Sequence, residues 1–247
     1  MHWAGHPRPA YARCMTFAAQ LRPIVAVEVK PSWRGWIHAA TTPVTIAAGI
    51  VLICLAHHAA AKTGAAIFMG TSILLFGNSA LYHRFNWAPR AKLALKRVDH
   101  ANIFLLIAGT YTPVALTMLP LVWEGILVLS VVWAGAIAGV FFRVFWITAP
   151  RWLYVPLYLV LGWAGVAVCA ASGFNPFISS GAIAAGILIA AGGLFYTLGA
   201  VVYGTKWPGR AAKHFGFHEI FHAFTAASFA CHWAAMLVLA LHPPFNA

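Results

Sequence analysis

The chain has 247 residues, of which 62% are hydrophobic and 8% are charged, and its mean hydropathy is +0.81. This composition excludes an ordinary water-soluble domain and favours a chain embedded in lipid. The net charge is +12, but the Lys and Arg residues come in short groups between apolar stretches and form no single basic face, which excludes a nucleic-acid-binding protein.

The first 36 residues contain five Lys or Arg residues and show no period typical of a helix or a strand. We predict that residues 1–36 form a basic cytoplasmic arm, either disordered or lying at the membrane surface, and that residues 37–247 form the membrane domain. Because no apolar run with a small-residue cleavage site occurs in this arm, the first membrane helix is expected to serve as the insertion signal.

Seven apolar runs of about 20 residues follow, each long enough to cross a bilayer as a helix. The chain is therefore predicted to be all-α, a polytopic membrane protein built as a seven-transmembrane-helix bundle. The predicted segments cover residues 37–57, 64–83, 99–119, 122–142, 152–172, 180–203 and 215–241.

Basic residues fall on alternate connections between these segments. Of the 16 Lys and Arg residues, only Lys62 lies outside the arm and the connections that follow the second, fourth and sixth segments. Because basic loops stay in the cytoplasm, this pattern predicts a cytoplasmic N-terminus and a C-terminus outside, which requires an odd number of spans. We expect the protein in the bacterial inner membrane.

Polar residues recur near the cytoplasmic ends of three segments. The second segment ends in GNSALYHRF, where Ser79 and His83 lie one helical turn apart. The third segment opens with Asp99, where the positive end of the helix dipole stabilises a carboxylate. The seventh segment begins in HFGFHEIFHAF, in which His218 and His222 are four residues apart and so share one helical face.

The predicted topology sends these three helix ends to one leaflet, so that their polar residues lie at one depth. Three imidazole nitrogens with an open position for water are typical of a Zn²⁺ site. We therefore assign His83, His218 and His222 as zinc ligands, with Asp99 hydrogen-bonded to the water on the metal or to a ligand imidazole. Taken singly, the histidines also fit head-group contacts, and Asp99 fits a helix cap or an ion pair with Arg97.

Five further polar residues bear on the site. His100 and His214 are reserve ligands. Glu219 faces about 100° away from His218 on the helix, so we expect it to pair with a basic loop residue and not to bind the metal. His38 begins the first segment and is either a donor to the site or an interface residue. His232 lies deeper in the seventh segment and is expected to hydrogen-bond to another helix.

The motifs SALYHRF, VDHANIFLLIAGTYTP and HEIFHAF, in this order and spacing, resemble the hemolysin III group of the progestin and adipoQ receptor superfamily. The resemblance covers residues 36–241, nearly everything after the arm. It implies a seven-helix bundle with the N-terminus inside and a zinc ion near the cytoplasmic face. The residues implied are His83, His218 and His222 as zinc ligands, with Ser79 and Asp99 beside the zinc and its water.

Related membrane families include ceramidases, so the resemblance implies a hydrolase-like site, and bacterial members have been linked to haemolysis and to membrane homeostasis. The first hypothesis is a zinc-dependent hydrolase that acts on a lipid amide or ester. Asp99 would take the proton of the attacking water, and Ser79 would donate to the developing oxyanion. Membrane lipids are the expected partners, with a lipid substrate inside the helix bundle.

Two other hypotheses stay open. In the first, the protein is a non-enzymatic sensor of lipid or membrane state, and a structural zinc takes His214 or Asp99 as its fourth ligand. In the second and less favoured one, it is a pore-forming cytolysin. A polytopic protein with its own insertion signals has no evident soluble state from which to attack another cell.

Overall fold

The computed structural model describes residues 31–119, 122–171, 182–209 and 214–242. These residues form seven α-helices and no strand, and each helix is long and apolar enough to cross a membrane. The predicted all-α bundle is confirmed, whereas residues 1–30 of the predicted arm lie outside the described residues. The helices are α1 (Trp36–Leu55), α2 (Ala59–Arg84), α3 (Pro89–Met118), α4 (Val122–Phe145), α5 (Arg151–Ala171), α6 (Ala182–Thr205) and α7 (Phe217–Leu241).

The largest difference from the prediction is the start of α3, which lies at Pro89 and not at Asp99. Proline suits the first position of a helix because its missing N–H would have no partner there and its φ is already helical. The basic residues that follow are too polar to count as a membrane segment, yet they form a helix. Asp99 therefore lies about three turns inside α3, and its interpretation as an N-terminal cap is wrong.

The seven helices form a closed ring in which each contacts the next and α7 returns to α1. α3 also contacts α5 and α7, and 67% of its apolar segment is buried, against 22% for α1. One apolar core, with Phe68 and Phe229, joins α2 to α7, and a second, with Phe104 and Val132, joins α3 to α4. α3 is therefore the central helix of the bundle.

Because neighbouring helices run in opposite directions, the end of α2 and the starts of α3 and α7 lie at the same end of the bundle. The described Lys and Arg residues also lie at this end, except for Lys62, which begins α2 at the other end. This is the end that the charge pattern predicts to be cytoplasmic.

The orientation is testable by labelling single cysteines in spheroplasts that carry a variant without native cysteines. We expect His57→Cys, in the α1–α2 connection, to react with a membrane-impermeant maleimide from outside. Asn86→Cys, in the α2–α3 connection, should react only after lysis, since the basic end faces the cytoplasm. Both positions are exposed, so the reverse labelling pattern would contradict the predicted orientation.

Candidate metal centre

Three imidazoles from two helices form the centre of the site. His83 lies in the last turn of α2, and His218 and His222 lie in the first two turns of α7. Their ligand nitrogens all lie within 4.8 Å of one another, and the Nε2 atoms of His83 and His218 are 3.2 Å apart. In the described parts of the chain this is the sole group of three His, Cys, Asp or Glu side chains arranged in this way.

The spacing of one pair of these nitrogens suits a shared metal ion. With Zn–N distances of 2.0–2.1 Å, two ligand nitrogens on Zn²⁺ lie about 3.3–3.4 Å apart, close to the 3.2 Å between His83 and His218. Two neutral imidazole nitrogens at this distance share a single proton, and a third imidazole adds a further lone pair. The cluster could therefore hold a metal ion, and imidazole ligands suit zinc, copper, iron and nickel.

Asp99 and Ser79 complete the polar end of the site. Asp99 comes from α3, and its Oδ2 lies 3.7 Å from Nε2 of His83. Ser79 lies one turn before His83 on α2, is 2% exposed, and has its hydroxyl beside the Asp99 carboxyl. The structure thus brings together all five residues that the sequence assigned to the site.

The two reserve ligands stand apart from this cluster. Nδ1 of His100 lies 2.8 Å from the Lys96 carbonyl oxygen, to which it donates. His214 is exposed, and its Nδ1 lies 3.0 Å from the Ser32 hydroxyl. Of the two fourth ligands considered for a structural zinc, Asp99 alone lies beside the cluster.

Glu219 directly follows His218 in the chain, but its carboxylate stabilises the start of α7. Its side chain is 1% exposed, and Oε1 accepts a hydrogen bond from Arg34 at 2.5 Å. Oε2 accepts another from the backbone N–H of Gly216 at 2.9 Å, which satisfies a free donor at the start of α7. The prediction that Glu219 pairs with a basic residue is confirmed.

His38 packs directly on a predicted metal ligand. Its ring is stacked on that of His222, with the centroids 3.7 Å apart and the planes 9° from parallel, and it is 2% exposed. Neither ring nitrogen forms a hydrogen bond of normal length among the described residues, although the His222 backbone lies near the ring. His38 is therefore not an interface residue, and it fixes the plane of the His222 ring by stacking.

An elongated apolar cavity begins at the histidines. It has a volume of about 570 Å³ and follows α3 from Asp99 past Ile107 to Leu119, about 30 Å along the helix axis. Most of its wall consists of aliphatic and aromatic side chains from α3, α5, α6 and α7. The sequence predicted a lipid inside the bundle, but it gave no indication of where the space for one lies.

Two arginines that served only as topology signals in the sequence border this region. Arg143 is 1% exposed, and its guanidinium lies 4.2 Å above the Tyr154 ring. Arg151 donates to the Tyr203 carbonyl at 3.0 Å, and the Tyr203 ring lies 5.7 Å from that of His218. Positive charge is therefore concentrated near the metal end of the cavity.

A family model and two related proteins match this chain, and they agree with one another. The family model described as "Haemolysin-III related" matches residues 27–233. A "Hemolysin-3 homolog" of Bacillus subtilis (strain 168) is 31% identical over 179 residues, which cover 72% of this chain and 78% of that protein. A "Hemolysin-3" of Bacillus cereus is 30% identical over 192 residues, which cover 76% of this chain and 83% of the relative.

Gly35 offers a test of how the start of α1 positions His83. Its φ is +80°, which favours glycine, and a Cβ there would lie 2.7 Å from Cβ of His83. We expect Gly35→Ala to cost about 1–3 kcal/mol of stability and to weaken zinc binding about tenfold or more, as displaced support of a ligand does. Chelator competition and thermal unfolding measure these two effects.

The matched control for this change is Gly70→Ala on α2. A Cβ at Gly70 would meet no atom within 4 Å, so zinc affinity and stability should stay at the wild-type level. Wild-type zinc affinity in Gly35→Ala would show that this contact does not position His83.

Glu219→Gln tests the structural interpretation of that carboxylate. Glutamine keeps an acceptor for the Gly216 N–H but loses the charge opposite Arg34, and a hydrogen bond between charged groups is worth about 1.5–3 kcal/mol. We expect lower stability with unchanged zinc content. In a double-mutant cycle with Arg34→Gln the two effects should be strongly non-additive, and loss of zinc in Glu219→Gln would instead place this residue in the metal centre.

Proposed function

The chain belongs to the haemolysin-III-related family of multi-pass membrane proteins, and from this premise we propose that it is a zinc-dependent hydrolase acting on an amide or ester bond of a membrane lipid. The observation that carries the proposal is the junction of a three-histidine cluster and a carboxylate with an apolar cavity inside the bundle. A purely structural metal needs no such cavity beside it.

The roles of the site residues follow from their positions. His83, His218 and His222 would hold the zinc ion, which would supply a Lewis acid to polarise a carbonyl and acidify water. Asp99 is placed to accept the proton of the attacking water, because its carboxylate borders both the histidines and the cavity. Ser79, beside Asp99, is placed to donate a hydrogen bond to the carbonyl oxygen as it becomes negative.

We infer that a lipid enters this site laterally, between α5 and α6. Trp163 lines the cavity and is also 47% exposed on the outer face of the bundle. Its indole N–H donates to Oγ1 of Thr197 at 3.3 Å, the kind of single contact that a small helix movement breaks. We infer that an acyl chain passes between these helices while its head group stays near Arg143 and Arg151.

The proposed activity would also account for the lysis to which the relatives' names refer. Hydrolysis of a bilayer lipid releases single-chain amphiphiles, and these loosen a membrane without any pore. The same turnover would connect the protein to membrane homeostasis. A pore-forming cytolysin is therefore not needed to explain lysis.

The second candidate is a non-enzymatic sensor of membrane state with a structural zinc. The observation that favours it is the 3.7 Å distance between Asp99 and His83, which lets the carboxylate close the coordination shell. In that case Asp99 holds the metal and the cavity holds a regulatory lipid.

Zinc content and lipid turnover together separate the two candidates. In nanodiscs we expect the wild-type protein to carry zinc and to cleave an N-acyl sphingoid base or a fatty acyl ester, and His83→Ala and His222→Ala to lose the metal. Asp99→Asn should keep the zinc and lose turnover by about 10²–10⁴-fold, the usual contribution of a general base. Metal analysis and mass spectrometry of the released fatty acid give the two readouts.

The opposite result is equally informative. A wild-type protein that binds zinc but cleaves no lipid amide or ester, together with an Asp99→Asn variant that has lost its zinc, would support the structural metal and the sensor. Ser79→Ala serves as the matched change beside Asp99, and it should lower turnover with zinc retained.

A further inference from the structure

A second pair of polar side chains lines the cavity, deep in the bundle. His232 lies on α7 ten residues beyond His222, about 15 Å further along the helix axis. Tyr196 lies on α6, and its ring centroid is 5.6 Å from that of His232. Since the hydrocarbon core of a bilayer is about 30 Å thick, this pair lies near the middle of the membrane.

The hydrogen bonding of this pair is incomplete. Nδ1 of His232 lies 2.8 Å from the Ser228 carbonyl, so the neutral ring carries its proton there and leaves Nε2 as an acceptor. The Tyr196 hydroxyl is buried and forms no hydrogen bond of normal length among the described residues, although the Ser228 side chain lies near it. The cavity wall therefore holds the Nε2 acceptor of His232 and, beside it, a hydroxyl that the protein satisfies poorly.

The two helices are shaped around this imidazole. Gly192 on α6 leaves the space that the His232 ring occupies, since a Cβ there would collide with the ring. Ser228 on α7 donates to the Gly192 carbonyl at 2.5 Å, which holds the helices together at this level. A buried polar group without a partner costs about 1–3 kcal/mol, so a ligand that satisfies the pair gains that energy.

We propose that the cavity binds a lipid chain with a hydroxyl group about midway along its length, which donates to Nε2 of His232 and accepts from Tyr196. A plain methylene chain leaves both groups without partners, and a carbonyl satisfies only Tyr196. A charged group is too costly at this depth. The inference rests on the proposed function only in taking a lipid as the occupant of the cavity, and it holds whether or not that lipid is hydrolysed.

Free fatty acids test this without any turnover. The probes are stearic acid and hydroxystearic acids with the hydroxyl near the carboxylate, at mid-chain or at the chain end, titrated into the zinc-loaded protein and followed by native mass spectrometry. We expect the mid-chain isomer to bind about tenfold more tightly than stearic acid, as two hydrogen bonds to unsatisfied groups permit. The other isomers should bind no better than stearic acid.

Tyr196→Phe removes only the hydroxyl, and it should abolish this preference while leaving the affinity for stearic acid unchanged. Tyr154→Phe is the matched control, because Tyr154 does not line the cavity, and it should keep the preference. The rise in melting temperature of the wild-type protein with each isomer repeats the comparison without any variant.

Equal binding of stearic acid and every hydroxylated isomer would overturn the proposal, as would a preference that survives in Tyr196→Phe. Because a free fatty acid has no bond to cleave, neither result depends on the hydrolase activity. Absence of turnover with a clear mid-chain preference would remove the hydrolase and leave this binding site in place.

Discussion

The hydrocarbon of a bilayer offers no hydrogen bonds, so each polar group in a membrane-spanning helix needs a partner within the protein, on a ligand or in water held inside the bundle. This constraint explains why three imidazoles, a carboxylate and a hydroxyl collect where α2, α3 and α7 meet. A cation would accept a lone pair from each of the three imidazoles, and the single carboxylate would balance part of the charge that the cation brings. One metal ion would thus join the three helices at this end.

Residues at and just before the start of α1 support the three-histidine cluster. Arg34 reaches Glu219 at the start of α7, and the backbone at Gly35 packs against His83 in the last turn of α2. His38, in the first turn of α1, stacks on His222. The segment that enters α1 therefore touches both helices that supply the histidines, which makes it part of the site even though it provides no ligand.

The seven helices and the members of the site were predictable from the sequence, because a bilayer demands about 20 apolar residues per span and helical spacing defines faces. The start of α3 was not predictable in this way, because the basic stretch that begins with Pro89 is helical but not apolar. The stacking of His38 on His222 was also out of reach, because it joins residues far apart in the chain. The cavity was not predictable either, because its shape depends on how side chains from four helices pack against one another, and the helical periodicity of the sequence does not specify that packing.

The pair formed by His232 and Tyr196 shows how the same constraint acts away from the metal. The Ser228 hydroxyl donates a hydrogen bond to the Gly192 carbonyl, and Nδ1 of His232 donates one to the backbone carbonyl of Ser228. The Nε2 acceptor of His232 and the Tyr196 hydroxyl lie beside an apolar space, about 15 Å from His222. A leucine and a phenylalanine would line that space at no electrostatic cost. With a lipid in the cavity, as proposed, the polar pair would select among lipids by the groups along the acyl chain, while the metal centre would act on the head group.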